Sequence, residues 1–314
     1  MTKATQNNTG KNETVKSNFK SSLRYGAAIL ALTAGMMMIP QSAQAQACLL
    51  DTNFNGQADA DVFSRDDTDG ADASGGSAVA CGFGAEATGE FSAAFGINAR
   101  ATSDNSVALG QTTFASGASS TSVGVLARAA GSASVALGGG FAVGNVSTAP
   151  AATGARSIAI GGGEVGNNGA RASAANAIAI GNRAVANRAN TTVVGTNAAA
   201  TGTDSTAVGA NSEASGASSS AFGENSDATG VASSAFGRFT AATGLNSSAF
   251  GQGAQATNTN STAVGRSAQA TGENGTAVGA NSLASGGLSA AFGENSRATG
   301  GAVSYTHLTL PTKA

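Results

Sequence analysis

The 314-residue chain holds 45 Gly, 13 Phe, two Tyr and no Trp, and its formal net charge is −2. With so few large side chains a thick core is excluded, leaving close backbone stacking of small residues as the way to bury surface. Near neutrality and scattered Arg exclude a nucleic-acid binder, because phosphate recognition needs a basic stripe.

Residues 1–47 read as an extended export signal. Lys3, Lys11, Lys16, Lys20 and Arg24 form a basic n-region, Tyr25 to Pro40 is apolar, and Ala43, Ala45 and Ala47 offer A-x-A cleavage. The alternative is an uncleaved membrane anchor, although roughly fifteen apolar residues are few for a span.

Residues 48–76 form an acidic cap segment with seven Asp and one Arg. Asp51, Asn53, Asn55 and Asp59 place oxygen ligands at alternate positions around Gly56, as a calcium loop does, but Val62 stands where such a loop carries Glu. The alternative is a solvated cap that shields the first coil from end-to-end stacking. The chain's two cysteines, Cys48 and Cys81, follow the predicted cleavage and are expected to pair in an oxidising compartment. A lipid-modified Cys48 is the rival reading, with Ala45 and Gln46 forming a poor lipobox.

Residues 77–302 are an internal repeat of about fifteen turns. A glycine preceded mostly by Phe, Val, Leu or Ile recurs at 82, 96, 110, 124, 138, 161, 181, 195, 209, 223, 237, 251, 265, 279 and 293. All steps are fourteen residues except two, which place insertions at 139–150 and 162–170. The template is S-x-A-Φ-G, two variable residues, A-x-A, then Thr or Ser and Gly, as in Ser106 to Gly117. Both halves alternate at period two, so each turn predicts two very short strands with glycines at the corners. The fold class is therefore all-β, a parallel solenoid.

Ala108 faces away from Val107 and Leu109, because side chains alternate across the pleat. So short a coil closes around its Ala face. The residue between the two Ala of the second strand (Glu86, Arg100, Arg128, Glu213, Asp227, Gln255, Arg297) is expected in solvent. The Φ column is left outside: Phe95, Leu109, Val123, Leu137, Ile160, Ile180, Val194, Val208, Phe222, Phe236, Phe250, Val264, Val278 and Phe292. Such a rank predicts self-association along the rod, most simply a symmetric homo-oligomer with this row at its axis.

The strings Asn105–Gly110 (NSVALG), Ala133–Gly138, Ser157–Gly161 and Asn176–Gly181 resemble the YadA-like head repeats of trimeric autotransporter adhesins. The resemblance implies a left-handed parallel β-roll, a homotrimeric head displayed on the outer membrane, and binding of extracellular-matrix or cell-surface proteins. In some members collagen binding lies on N-S-V-A-I-G repeats. Carried over, that touches Asn105, Ser106 and Val107, residues that equally define the coil. In that family a stalk and a C-terminal membrane barrel follow the head, so anchoring of this chain would rest on a C-terminal region it lacks. Residues 303–314 (VSYTHLTLPTKA) leave the repeat pattern and read as a foreign tail, VSYTHL back-translating to something like a sequencing-library adapter.

Between 77 and 302 there is no His, Lys, Tyr or Trp, and Cys81 is the one Cys, so the many hydroxyls have no base to activate them. Neither enzyme activity nor a cofactor is expected. Thr88, Thr102, Thr153, Thr201, Thr229, Thr243, Thr257, Thr271 and Thr299 form one rank, which admits a structural or ice-binding solenoid as the alternative to an adhesin. The two insertions are the expected specific contact loops.

Overall fold

The computed structural model describes Cys48–Leu50 and residues 70–143, 146–165 and 168–306. The predicted export signal and the candidate calcium ligands Asp51, Asn53, Asn55 and Asp59 lie outside the described residues.

Among the described residues the chain forms a parallel β-solenoid with no helix. Each coil contributes one three-residue strand and one two-residue strand, such as Val107–Leu109 and Phe114–Ala115. The first kind assembles into a 17-stranded sheet and the second into a 15-stranded sheet. Successive strands pair in strict repeat register, Ala108 opposite Ala94 on one side and Ser122 on the other. The ladder is regular: Val107 N donates to Ser120 O at 2.9 Å and Gly110 N to Phe95 O at 2.8 Å.

Four inward columns fill the space between the sheets, and all of them are small. The last residue of the two-residue strand is Ala in all fifteen coils, from Ala87 to Ala298, and none exceeds 1 % exposure. The Ala of S-x-A is replaced only at Ser122, Val193 and Tyr305, and the last of these is exposed. The Ser of S-x-A also points inward, where the alternation of the pleat puts it. Ser106, Ser205 and Ser261 donate their hydroxyls to the carbonyl three residues earlier. Polar replacements in the core find each other: Thr113 donates to Ser122 across the two sheets at 3.0 Å.

Glycines at the corners make this thinness possible, one after every Φ from Gly82 to Gly293 and a second after the two-residue strand in all coils but those with Ser103, Ala174, Arg188 and Asn258. Gly110 sits at φ +134°, and a Cβ there would lie 2.7 Å from Gly124 O. At Gly117 a Cβ would overlap the carbonyl of Gly131 in the next coil. Both corners also demand the left-handed region from residues that do carry a Cβ, and twelve of the 27 non-glycine residues at positive φ are Asn. Asn is among the residues best tolerated there, because its short side chain bonds locally. Its side chain here links coils: Asn176 donates to Asn190 and Asn190 to Asp204, at 2.8 and 2.7 Å.

The ends and the insertions complete the rod. Cys48–Leu50 lies antiparallel on the first strand, Val79–Cys81, and so covers the edge of the larger sheet. Asp72 bridges to Glu86 and covers the edge of the smaller one. At the other end Ser304–Thr306 adds a strand beside Ala290–Phe292, so parallel pairing runs past the repeat boundary at 302. The insertion at 139–150 is a hairpin, Ala142–Val143 against Val146–Ser147. Around it the register continues unbroken, Val135 opposite Ile158.

A core of this thickness has no room for larger side chains. Replacing Ala207 by Leu is expected to destabilise by at least the ~1–3 kcal/mol typical of overpacking, whereas Ala210→Leu at an exposed corner stays within about 0.5 kcal/mol. Thermal unfolding followed by circular dichroism checks both, and equal midpoints for the two variants would refute the packing argument.

Candidate binding surfaces

Once the coil interior is closed, four surfaces are left to meet other molecules, the last being the corner after each two-residue strand, with Phe91, Val231, Leu245 and Leu288 exposed on it. The first is the outer face of the three-residue strands. Its Φ column runs the length of the rod, partly exposed throughout, with Leu109 48 % and Phe292 41 % exposed. Phe222, Phe236 and Phe250 stack on one another at centroid distances of 4.8 and 5.2 Å. Parallel in-register pairing forces this contact, because it sets identical positions one strand spacing apart. The second outward column changes character along the rod. It runs Val79, Ala93, Val107, Thr121, Val135, Ile158 and Ile178 at first, then Thr192, Thr206, Ser220, Ser234, Ser248, Thr262, Thr276 and Ala290. The apolar band is therefore largely two side chains wide in the first half, broken at Thr121, and one wide in most of the second.

The second surface is the outer face of the two-residue strands, with one outward residue per coil. Read by register, its column is Glu86, Arg100, Phe114, Arg128, Ala151, Arg171, Val185, Ala199, Glu213, Asp227. Arg100 pairs with Glu86 at 2.8 Å, and the Arg100 and Arg128 guanidiniums lie 5.6 and 5.9 Å from the Phe114 ring centroid on either side. Arg171 was not legible as part of this column until the two insertions were accounted for. The adjacent Thr rank is interrupted by Ser116, Ala130, Ser173 and Asn187, so it is no uniform methyl-hydroxyl plane.

The third surface is the corner after each Φ-G. Phe83, Ile97 and Val125 are exposed on it, and the insertions add exposed Phe141 and Val165. The insertions touch each other on neighbouring coils: Gly163 N donates to Gly139 O and Gly169 N to Thr148 O.

The residues singled out in NSVALG do not converge. Asn105 is an exposed corner residue at φ +56°, Ser106 is fully buried, and Val107 is 36 % exposed on the sheet face beside Leu109. Cys48 stands opposite Cys81 in the antiparallel pair, and Cys81 is disulfide-bonded. Among the described residues no three His, Cys, Asp or Glu gather as metal ligands.

The family model of the YadA head domain repeat matches at residues 73–96, 87–113, 115–140, 172–198, 189–212, 200–226, 214–240, 228–254, 242–268 and 256–282. No curated protein matches the sequence.

One member of the outward column departs from the expectation that it lies in solvent. Asp227 is half-buried, with Oδ1 out of contact with any hydrogen-bond partner. Burial raises its pKa above the ordinary 3.8, the facing Glu213 raises it further, and a hydrogen bond from Thr229 works the other way. The folded state therefore holds this proton more tightly than the unfolded chain. The resulting stability is present below the unfolded value and is lost as pH rises through the folded one. Asp227→Asn is expected to raise the melting midpoint at pH 7, with the gain vanishing below pH 3.8. A pH series of thermal melts checks it, and a gain that persists in acid would contradict the assignment.

Proposed function

Since this chain belongs to the YadA head-repeat family, we propose that it is the head of a homotrimeric adhesin displayed on a bacterial cell surface. The observation that carries the reading is the continuous outward Φ column from Phe95 to Phe292, none of it buried in the coil, with Phe95, Leu109, Phe236, Phe250, Val264 and Phe292 exposed and the rest partly so. A water-soluble rod does not leave an apolar rank of that length uncovered, and a closed ring of three chains covers it at the axis. Export by the 1–47 signal belongs to the same reading.

Adhesion on such a scaffold needs no deep pocket. Weak contacts to matrix proteins, host cells or other bacteria repeat along a stiff rod and around three chains, and avidity supplies the affinity. Asn105 and Val107 offer side chains to a ligand, whereas Ser106 serves the coil. The paired insertions, with Phe141 and Val165 outermost, are the most distinctive contact surface on the rod. A Cys48–Cys81 bond pins the segment that covers the first coil, and non-reduced peptide mapping should return the two cysteines in one linked peptide.

Light scattering on the purified protein is expected to give three times the chain mass, and replacing Phe236 and Phe250 by Asp should yield monomer. Adherence to immobilised matrix proteins should fall with trimer content. A wild-type protein that stays monomeric and soluble would refute the assembly. A trimer that adheres to no matrix protein, host cell or bacterium would refute the adhesin.

A further inference from the structure

We propose that the outer face of the two-residue strands binds a sulfated polysaccharide, laid lengthwise over Arg100, Phe114, Arg128 and Arg171. This rests on the trimer reading to the extent that a Φ face at the axis turns the opposite face outward on all three chains.

The geometry is that of a single-file cationic track. Arg100, Arg128 and Arg171 lie on alternate strands of one parallel sheet, so their Cα atoms recur about every 10 Å and span about 19 Å. A sugar unit of a linear polysaccharide advances by about one strand spacing, so an anion on every second sugar keeps step with the guanidiniums. No carboxylate faces the last two Arg across the ladder. The neighbours of Arg128 are Phe114 and Ala151, and those of Arg171 are Ala151 and Val185. Phe114, partly exposed, holds the Arg100 and Arg128 guanidiniums over its ring and so keeps both cations aligned along the track.

The chemistry selects both the ligand and its end point. Every cation between 77 and 302 is Arg, with no Lys. A guanidinium is weakly hydrated and forks onto oxyanions, which suits sulfate esters. The flanking column carries the hydroxyls of Thr102, Ser116, Thr153 and Ser173, interrupted at Ala130, for sugar hydroxyls to meet. Farther along, Glu213 and Asp227 repel a polyanion and terminate the track. A duplex nucleic acid fits less well, because a single row of cations meets one strand's phosphates at most.

The test measures binding of heparin, of hyaluronan as a carboxylate-only polymer and of duplex DNA to the purified protein in 0.15 M NaCl. Heparin is expected to bind tightest, and R128Q/R171Q should weaken it about tenfold or more, as loss of two exposed ion pairs per chain implies. R128K/R171K should recover part of the binding, and R238Q/R266Q, which removes the same charge from the corner after Gly237 and Gly265, off this face, should leave it unchanged. Equal weakening in both Gln variants, or DNA or hyaluronan binding as tight as heparin, overturns the proposal. Matrix adherence without heparin binding overturns it too and leaves the adhesin reading standing. Heparin binding by a monomer upholds the track and overturns the trimer.

Discussion

The distance between the two sheets governs everything else in this molecule. They approach as closely as a layer of Cβ atoms and glycine backbone allows, which is why a column of fifteen Ala shows no exception from Ala87 to Ala298. A layer that thin stabilises little by apolar burial, since each methyl contributes only about 0.8 kcal/mol. Cohesion comes instead from the backbone ladder between coils, which is additive along the rod and blind to what stands elsewhere. Large apolar side chains, having no interior to enter, gather on an outer face that other chains must cover.

The corners impose a second, dependent constraint. A coil of fourteen residues turns sharply enough to require positive φ three times per repeat, as at Gly96, Asn98 and Asn105, and two of the three are mostly met without glycine. Asn meets the requirement and then bonds to its counterpart one coil away, so a strained conformation also becomes a link between coils. That dual duty alters the meaning of the N in N-S-V-A-L-G. Asn105 stands where the backbone needs it, and any ligand it meets is met by a residue already employed in the turn.

Much of this was readable beforehand. The fourteen-residue period, the inward Ala, the outward Φ and the short paired strands all follow from alternation and glycine spacing. The inward Ser column obeys the same alternation, but the bonds some of its hydroxyls make to the carbonyl three residues earlier depend on the corner geometry, which alternation does not record. Relations between coils were harder. Arg128 and Arg171 are neighbours but one in the ladder while lying 43 positions apart in sequence, because both insertions fall between them. The half-burial of Asp227 and the strand at Ser304–Thr306 depend on what packs beside them, which no repeat template records.

The hairpin at 139–150 leaves the ladder undisturbed on both sides, with the same pairs meeting across it as across an ordinary corner. Shape and surface content are thereby uncoupled: a loop at this corner can be lengthened, exchanged or lost while the rod keeps its pitch and its neighbours. That corner is where contact features can be exchanged at no expense to the structure that carries them.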